Sequence, residues 1–247
     1  MPPQKATTSL APEISIIIPV YNDAAHIGKS VEALMNFIQS ENLNAEVLII
    51  NDGGRDATAK IVEEKLKKYQ AIRFINRAKN LGKGASVREG IAASSGAAII
   101  FTDADLPYGT KHFKEMIKLL RSGRTDLVIA NRHLWSTWQV DQFGISAVRR
   151  FTHWGFGLLV RNLLRLEFSD TQAGLKGMSH KAAEAILPKL NINGFAFDLE
   201  LLVEAEKAGL KIQEVPVILE NAGQSNIKIA RDSLRMLIDI IKIWLSY

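Results

Sequence analysis

Residues 98–107 have the sequence Ala-Ile-Ile-Phe-Thr-Asp-Ala-Asp-Leu-Pro, an apolar run that ends in two aspartates and a proline. Such a run is typical of a strand buried on both faces, and the proline prevents it from continuing as a central strand. Residues two apart in an extended segment point the same way, so Asp103 and Asp105 would present their carboxylates together. The segment predicts either a pair of metal ligands at the end of a strand or an ordinary polar turn.

Apolar runs and amphipathic segments alternate on both sides of this stretch. Strands are predicted at Ile14 to Val20, Glu46 to Ile50, Ile72 to Ile75, Ala98 to Phe101 and Leu127 to Ala130. Apolar residues at helical spacing predict helices between them, including one from about Lys111 to Arg121. This order predicts an α/β fold with a doubly wound, mostly parallel sheet.

Each predicted strand leads into polar residues at its carboxyl end. They are Tyr21 to Asp23, Asn51 to Gly54, Asn76 and Arg77, Asp103 to Asp105, and Asn131 and Arg132. Ligands of doubly wound sheets bind outside the carboxyl ends of the strands, so these residues are predicted to surround a nucleotide site. Strands also exit into polar loops when no ligand binds, and the pattern alone leaves that alternative open.

Composition limits the classes of function. The chain has 247 residues, of which 47% are hydrophobic and 23% charged, as expected for a globular protein with a sizeable core. Its formal net charge of +5 favours anionic partners such as phosphates, acidic lipids or nucleic acid. The absence of cysteine from the sequence excludes disulfides, thiolate zinc sites and cysteine nucleophiles.

The two ends of the chain differ in character from its middle. Residues 1–13 are predicted to be a flexible arm without the apolar core of a signal peptide, and residues 14–222 a single domain. No stretch reaches the roughly 18–20 apolar residues that a membrane-spanning helix needs. Residues 143–168 and 223–247 are predicted amphipathic helices with interleaved basic residues, suited to a membrane interface. Packing on the sheet, or against a second copy of the chain, is the alternative for both.

Common catalytic motifs do not account for the polar strand ends. The segment Gly82-Lys83-Gly84 is not a P-loop, because Arg77 stands where the first glycine should be and Gly84 replaces the magnesium-binding Ser or Thr. The sequence has no GxGxxG, GxSxG or HExxH, and its five histidines are scattered. The carboxylates at the strand ends therefore remain as the candidate functional groups.

Two carboxylates without thiolates or clustered imidazoles favour Mg²⁺ or Mn²⁺ over zinc, so Asp103 and Asp105 are the candidate metal ligands. Magnesium usually completes its shell with substrate phosphates, which implies a diphosphate substrate. The basic candidates for further phosphate contacts, each of which could equally be a surface charge, are Arg77, Lys83, Arg132, Arg149, Arg150 and Lys176.

Several of these segments together resemble a known family. Ser15 to Asn22, Asn51 to Gly54 and Asp103 to Asp105 resemble the opening strand, the acidic turn and the metal motif of the family-two inverting glycosyltransferases, which have the GT-A fold. Lys79 to Gly84, Asp170 to Lys176 and Phe195 to Leu202 resemble its polyprenyl-phosphate branch, nearest to the dolichyl-phosphate glucose synthases. The resemblance covers Ile14 to Trp244, and it identifies residues 14–222 as a GT-A glycosyltransferase domain.

The resemblance implies a role for individual residues. Pro19, Tyr21, Asp23, Asp52 and Lys83 would bind the donor, with Asp52 at the uracil edge, while Asp103 and Asp105 would hold Mg²⁺ or Mn²⁺ on the diphosphate. Arg132, Arg149 and Arg150 would receive the acceptor phosphate, Lys176 would be a further phosphate ligand, and Asp170 would lie beside the sugar. The sequence departs from the family at Asn51, which replaces an acid, and at Gly54, which replaces a serine.

The activity implied by the resemblance is metal-dependent transfer of a hexose, glucose in the first place, from a UDP-sugar to a polyprenyl or dolichyl phosphate, with inversion. It implies a peripheral protein on the cytoplasmic face of a membrane, with no nucleic-acid partner; a homo-oligomer is compatible with the sequence. The second pKa of a phosphate monoester is about 6, so the nucleophile needs no strong base at neutral pH. Asp170 would then be either a weak base or a stabiliser of positive charge on the sugar.

Four alternatives remain at this point. The donor could be GDP-mannose, or the acceptor a sugar hydroxyl, which would need a real base. A sugar-1-phosphate nucleotidyltransferase is disfavoured, because Pro19-Val20-Tyr21-Asn22 is a poor substitute for a glycine- and arginine-rich phosphate loop. A non-catalytic nucleotide binder at the membrane is the fourth.

Overall fold

A computed structural model describes residues 11–134, 160, 163–220 and 229–246. Seven strands form one sheet: β1 (Ile14–Val20), β2 (Ala45–Asn51), β3 (Ile72–Asn76), β4 (Ala98–Phe101), β5 (Leu127–Asn131), β6 (Lys176–Ser179) and β7 (Ile212–Pro216). The helices of this part of the chain are α1 (Ile27–Ser40), α2 (Thr58–Lys68), α3 (Lys83–Ala93), α4 (Lys111–Arg121), α5 (His180–Ile186), α6 (Phe197–Lys207) and α7 (Ile229–Leu245), with a 3₁₀ turn at Leu187–Lys189.

The strand order is β3-β2-β1-β4-β6-β5-β7. Strands β1 to β4 pair in parallel, as do β5 and β7, whereas β6 runs antiparallel between β4 and β5. The prediction of an α/β fold with a mostly parallel sheet is therefore confirmed. Strands β6 and β7 were not among the five predicted strands, and the structure adds both.

The core lies on both faces of the sheet, which explains the continuous apolar runs. Ile16 and Ile18 of β1 pack with α1 and α4 on one face, while Ile17 packs with α3 and α6 on the other. All seven residues of β1 are buried. Alternate residues of an extended chain point to opposite faces, so a strand covered by helices on both sides must be apolar throughout.

The two predicted amphipathic helices are described to different extents. Most of residues 143–168 lie outside the described residues; residues 163 and 164 are helical, and residues 165–168 have no regular structure. The second segment contains α7, which buries Ile240 and Ile243 against the sheet-covering helices. Among the described residues, no helix has the combined length and apolar character required to cross a membrane.

Candidate active site

The acidic pair lies at the carboxyl end of β4, in the middle of the sheet. Asp103 and Asp105 are both partly buried. Burial raises the pKa of Asp105, and the negative charge of nearby Asp103 raises it further. The site therefore favours added positive charge.

The donor set fits Mg²⁺ or Mn²⁺ bound together with a phosphate-bearing substrate. Within the described ranges no three acidic or histidine side chains gather into a complete metal cage, and magnesium commonly takes only one or two carboxylates. The Asp103 carboxylate rests on Gly174, where an added Cβ would come within 1.7 Å of Oδ2. The loop 170–175 thus forms one wall of the acidic site.

Lys83 stands beside the acidic pair, at the first residue of α3. Its Nζ lies 2.6 Å from Asp103 Oδ1 and 4.0 Å from Asp198 Oδ2. Burial would lower the pKa of Lys83, but the charges of Asp103 and Asp198 outweigh burial and raise it. Lys83 therefore carries a permanent positive charge beside the carboxyl end of β4.

Lys176 is fully buried at the start of β6, and the structure does not bring its ammonium group to the surface of the site. Its Nζ donates to Asp198 Oδ1 at 2.6 Å and to the carbonyl of Ala173 at 2.7 Å. Asp198, in the first turn of α6, consequently lies between two lysines. In this position Lys176 supports Asp198 and cannot reach a phosphate in the site directly.

Asp52 holds the loop between β3 and α3 in place. Its carboxylate accepts hydrogen bonds from the N–H groups of Leu81 and Gly82, at 2.9 and 2.7 Å, and from Arg77 Nη1 at 2.9 Å. Gly82 has a φ of +107°, a conformation that favours glycine. Asp52 is 3% exposed. This carboxylate fixes the entry to α3 and hence the position of Lys83.

Asp170 and Arg132 form the second charged pair of the site. Arg132 donates to the Asp170 carboxylate from Nε at 2.7 Å, from Nη2 at 2.8 Å and from its backbone N–H at 3.0 Å. Burial would raise the pKa of Asp170, but these bonds and the charge of Arg132 lower it to about 2. Asp170 is therefore ionised at neutral pH and is a weak base. Burial raises the pKa of the neighbouring Tyr108 to about 12.

The remaining predicted donor residues lie at the ends of β1 and β2. Pro19 is in β1, and Tyr21 is 47% exposed immediately after that strand. The Asp23 N–H donates to Thr58 Oγ1 at 2.9 Å, and its carboxylate pairs with His26 Nδ1 at 2.5 Å. Asn51 Nδ2 donates to Asn76 Oδ1 at 2.8 Å, so the amide that replaces an acid bridges two strand ends. Arg149 and Arg150 lie outside the described residues.

Three residues without a predicted role lie in the site. Gly174 supports Asp103, Asp198 contacts Lys83, and Tyr108 interacts electrostatically with Arg132 and Asp170. Asp198 lies within the segment Phe195 to Leu202, whose resemblance to the family was the available signal. Gly174 likewise lies within the segment Asp170 to Lys176, which resembles the family, whereas Tyr108 carried no signal, because its interactions with Arg132 and Asp170 join residues distant in sequence.

Comparison with known proteins identifies this arrangement. The family model described as "Glycosyl transferase family 2" matches residues 15–187, which include both Asp103–Asp105 and the Asp170 loop. The chain belongs to glycosyl transferase family 2. It is a glycosyltransferase, and the predicted resemblance is confirmed.

Relatives within this family match nearly the whole chain. The chain is 31% identical over 239 residues to "Dolichyl-phosphate beta-glucosyltransferase ALG5C" of Trichomonas vaginalis, covering 93% of the chain and 70% of the relative. It is 30% identical over 254 residues to "Dolichyl-phosphate beta-glucosyltransferase" of Saccharomyces cerevisiae, covering 95% and 75%. It is also 30% identical to "Glycosyltransferase AglD" of Haloferax volcanii, covering 97% of the chain but 38% of that longer protein.

A solved structure confirms the GT-A type of fold for this family 2 chain. Glucosyl-3-phosphoglycerate synthase from Mycobacterium tuberculosis, crystallised with Mn²⁺, UDP and phosphoglyceric acid, superposes with a TM-score of 0.70 at 17% identity. The match covers 94% of this chain and 78% of that one. At this identity the comparison establishes the fold.

Proposed function

We propose that this glycosyltransferase moves glucose from UDP-glucose to the phosphate of dolichol or a related polyprenol, with Mg²⁺ or Mn²⁺ at Asp103 and Asp105. The observation that carries the proposal is the proximity of two charged clusters: Lys83 pairs with Asp103, Arg132 pairs with Asp170, and Arg132 interacts electrostatically with Asp103. One cluster would hold the donor diphosphate, and the other would face the reacting sugar. The names of the relatives at about 30% identity support the sugar and the acceptor.

Each described residue has a defined task in this proposal. Asp103 and Asp105 hold the divalent cation, which when bound neutralises the charge of the departing diphosphate. Lys83 adds a positive charge beside Asp103. Arg132 uses Nε and Nη2 for Asp170 and presents its remaining N–H donors to an acceptor phosphate. Arg149 and Arg150 stay predictions as further acceptor contacts.

Asp170 acts as a negative charge rather than as a base. With a pKa of about 2, it holds a proton too weakly to remove one from a nucleophile near neutral pH. The acceptor phosphate, with a second pKa of about 6, is itself ionised and attacks the anomeric carbon from the side opposite the diphosphate. The C–O bond to the diphosphate breaks as the new C–O bond forms, with inversion. The buried Asp170 carboxylate stabilises positive charge on the sugar in that transition state.

The acceptor phosphate belongs to a lipid, and α7 offers a surface for the membrane that contains it. Five large apolar side chains of α7 are 41% to 71% exposed: Leu237, Ile238, Ile241, Trp244 and Leu245. Lys242 lies on the same helix. Gln172, two residues after Asp170, donates to Met236 Sδ of α7 at 3.7 Å. We propose that α7 lies in the membrane surface and keeps the Asp170 loop close to the lipid phosphate.

The test is transfer by the purified full chain. The protein is incubated with dolichyl phosphate, Mg²⁺ or Mn²⁺, and in turn radiolabelled UDP-glucose, other UDP-hexoses and GDP-mannose. We expect a chloroform-soluble labelled product from UDP-glucose, lost with EDTA and in Asp105→Asn, and retained in Lys118→Met, which changes an exposed residue of α4. Label from GDP-mannose alone would reassign the donor, and no lipid product from any donor would refute the proposal.

A further inference from the structure

Lys83 has two carboxylates near its ammonium group, one in contact and one slightly farther away. Asp103 Oδ1 is in direct contact at 2.6 Å, and Asp198 Oδ2 is 4.0 Å away. The Lys83 side chain is 18% exposed, so these charges interact in a poorly solvated region. A movement of little more than 1 Å, the difference between the two distances, brings Lys83 into contact with Asp198.

Asp198 is built to receive a second cation. The buried Lys176, itself held by the carbonyl of Ala173, donates to Asp198 Oδ1, while Asp198 Oδ2 lies 4.0 Å from Lys83 Nζ. A carboxylate accepts about four hydrogen bonds, so Oδ2 has the capacity for a direct bond from Lys83. Asp198 thus forms a second resting position for the Lys83 ammonium.

In the proposed function, two cations compete for the Asp103 carboxylate. Lys83 Nζ lies on its Oδ1, and the same carboxylate is a ligand of the divalent cation. We propose that Lys83 exchanges between Asp103 and Asp198: it yields Asp103 to the incoming metal ion, moves onto Asp198, and from there binds the donor diphosphate. This inference rests on the proposed function and adds a competing residue to its metal site.

Charge balance supports the exchange. The three carboxylates of Asp103, Asp105 and Asp198 and the two lysines give the cluster a net charge of about −1. A divalent cation reverses the sign of that charge, and the diphosphate of a nucleotide sugar then restores it. Binding of the metal ion therefore favours binding of the diphosphate, and the reverse also holds. The positive charge of Lys83 weakens binding of the metal ion and strengthens binding of the diphosphate.

The test measures binding of the two ligands separately. Mn²⁺ alone is titrated by electron paramagnetic resonance of the free ion, and UDP binding is measured by calorimetry at saturating Mn²⁺, both at a fixed pH. In Lys83→Met we expect Mn²⁺ alone to bind about tenfold more tightly, because a neighbouring positive charge is gone. UDP is expected to bind about tenfold more weakly, because a charge-assisted phosphate contact is gone.

Lys118→Met is the matched control, since it removes the same charge from an exposed position on α4. It should leave both affinities unchanged. Opposite changes for the two ligands in Lys83→Met separate exchange from simpler roles. A plain phosphate ligand would leave binding of Mn²⁺ alone unchanged, and a structural residue would weaken both ligands; either result overturns the inference.

A second variant removes the other resting position. Asp198→Asn combined with Lys176→Met replaces a buried ion pair with neutral groups, a change that leaves no uncompensated charge in the core. With Asp198 neutral, Lys83 stays on Asp103, so Mn²⁺ alone should bind several-fold more weakly than to the wild type while the melting temperature shows a folded protein. Unchanged Mn²⁺ affinity in this folded variant contradicts the exchange.

The outcomes also separate this inference from the proposed function. Wild-type protein that transfers glucose with Mn²⁺ but shows equal Mn²⁺ affinity with and without Lys83 overturns the exchange and leaves the function standing. Wild-type protein that binds Mn²⁺ in competition with Lys83 yet transfers no sugar to lipid overturns the function and leaves the exchange standing.

Discussion

The Asp170 carboxylate is held in its ionised form by Arg132, and this supports the proposed role of a stabilising charge over that of a base. Three hydrogen bonds from Arg132 lower the pKa to about 2 against the effect of burial. A group with that pKa remains negative throughout the physiological range. The sequence could not supply this information, because Asp170 and Arg132 are 38 residues apart and nothing in either segment indicates their pairing.

The first prediction concerns the pH dependence of transfer. If the acceptor phosphate is its own base, the wild-type rate should rise through an acid limb near about pH 6 and stay level above it. Asp170→Asn should lower the rate roughly 100-fold through loss of charge and position, yet keep the same limb. Single-turnover rates between about pH 5 and 8 test this. Disappearance of the limb in Asp170→Asn would show that Asp170 is the base.

Asp52 gives the second prediction, on stability. It accepts three hydrogen bonds from residues 77, 81 and 82 in a buried position, so Asp52→Ala should lower the free energy of unfolding by about 3 kcal/mol. Glu89→Gln is the control, because Glu89 contacts the same Arg77 from a side chain that is 38% exposed. Its loss should cost less than about 1 kcal/mol. Urea unfolding measures both, and equal effects would contradict the role given to Asp52.

At the scale of elements, the loop 170–175 joins the two halves of the site. It begins with Asp170, passes under the Asp103 carboxylate at Gly174, and enters β6 at Lys176. The backbone therefore connects the sugar end of the site to the metal end over a few residues. A side chain at position 174 would push the Asp103 carboxylate away from this loop.

Gly174→Ala is the third prediction. The added Cβ would lie 1.7 Å from Asp103 Oδ2, so the carboxylate must move and the transfer rate should fall at least about 100-fold. Binding of Mn²⁺ alone should weaken as well. Gly28→Ala, in which the new Cβ meets a flexible Ile61 side chain at 3.2 Å, is the control and should retain full activity. Normal Mn²⁺ binding in Gly174→Ala would show that Asp103 tolerates the change.

At the scale of the whole molecule, the net charge of +5 and the exposed apolar side of α7 together predict binding to anionic membranes. Leu237→Glu with Ile241→Glu should abolish flotation with anionic liposomes. Asn36→Glu with Gln39→Glu on α1 adds the same charge at exposed positions and should leave most of the flotation intact. High salt should weaken the wild-type interaction in part. Equal flotation of both double variants would assign α7 a packing role instead.

The fold was predictable where the strands have a largely apolar sequence. Strands β1, β2, β4 and β5 were predicted from apolar runs between polar loops, and β3 from three apolar residues interrupted by Arg73. Strand β6, Lys-Gly-Met-Ser, has no such run, and its place in the sheet depends on pairing with β4 and β5. Lys176 was predicted as a phosphate ligand because the sequence shows neither its burial nor its pairing with Asp198, 22 residues later.

The position of β6 also has a consequence for how the protein is made. Residues 176–179 leave the ribosome long after β4 and β5, yet they are the only link between these two strands among the described pairings. Until then the apolar edge of β4 is open and can pair with another nascent chain. Synthesis therefore passes through a stage in which β1 to β4 are complete but one edge of β4 is unpaired and prone to aggregation, and the arrival of β6 joins β4 to β5 before β7 is added at the edge of the sheet.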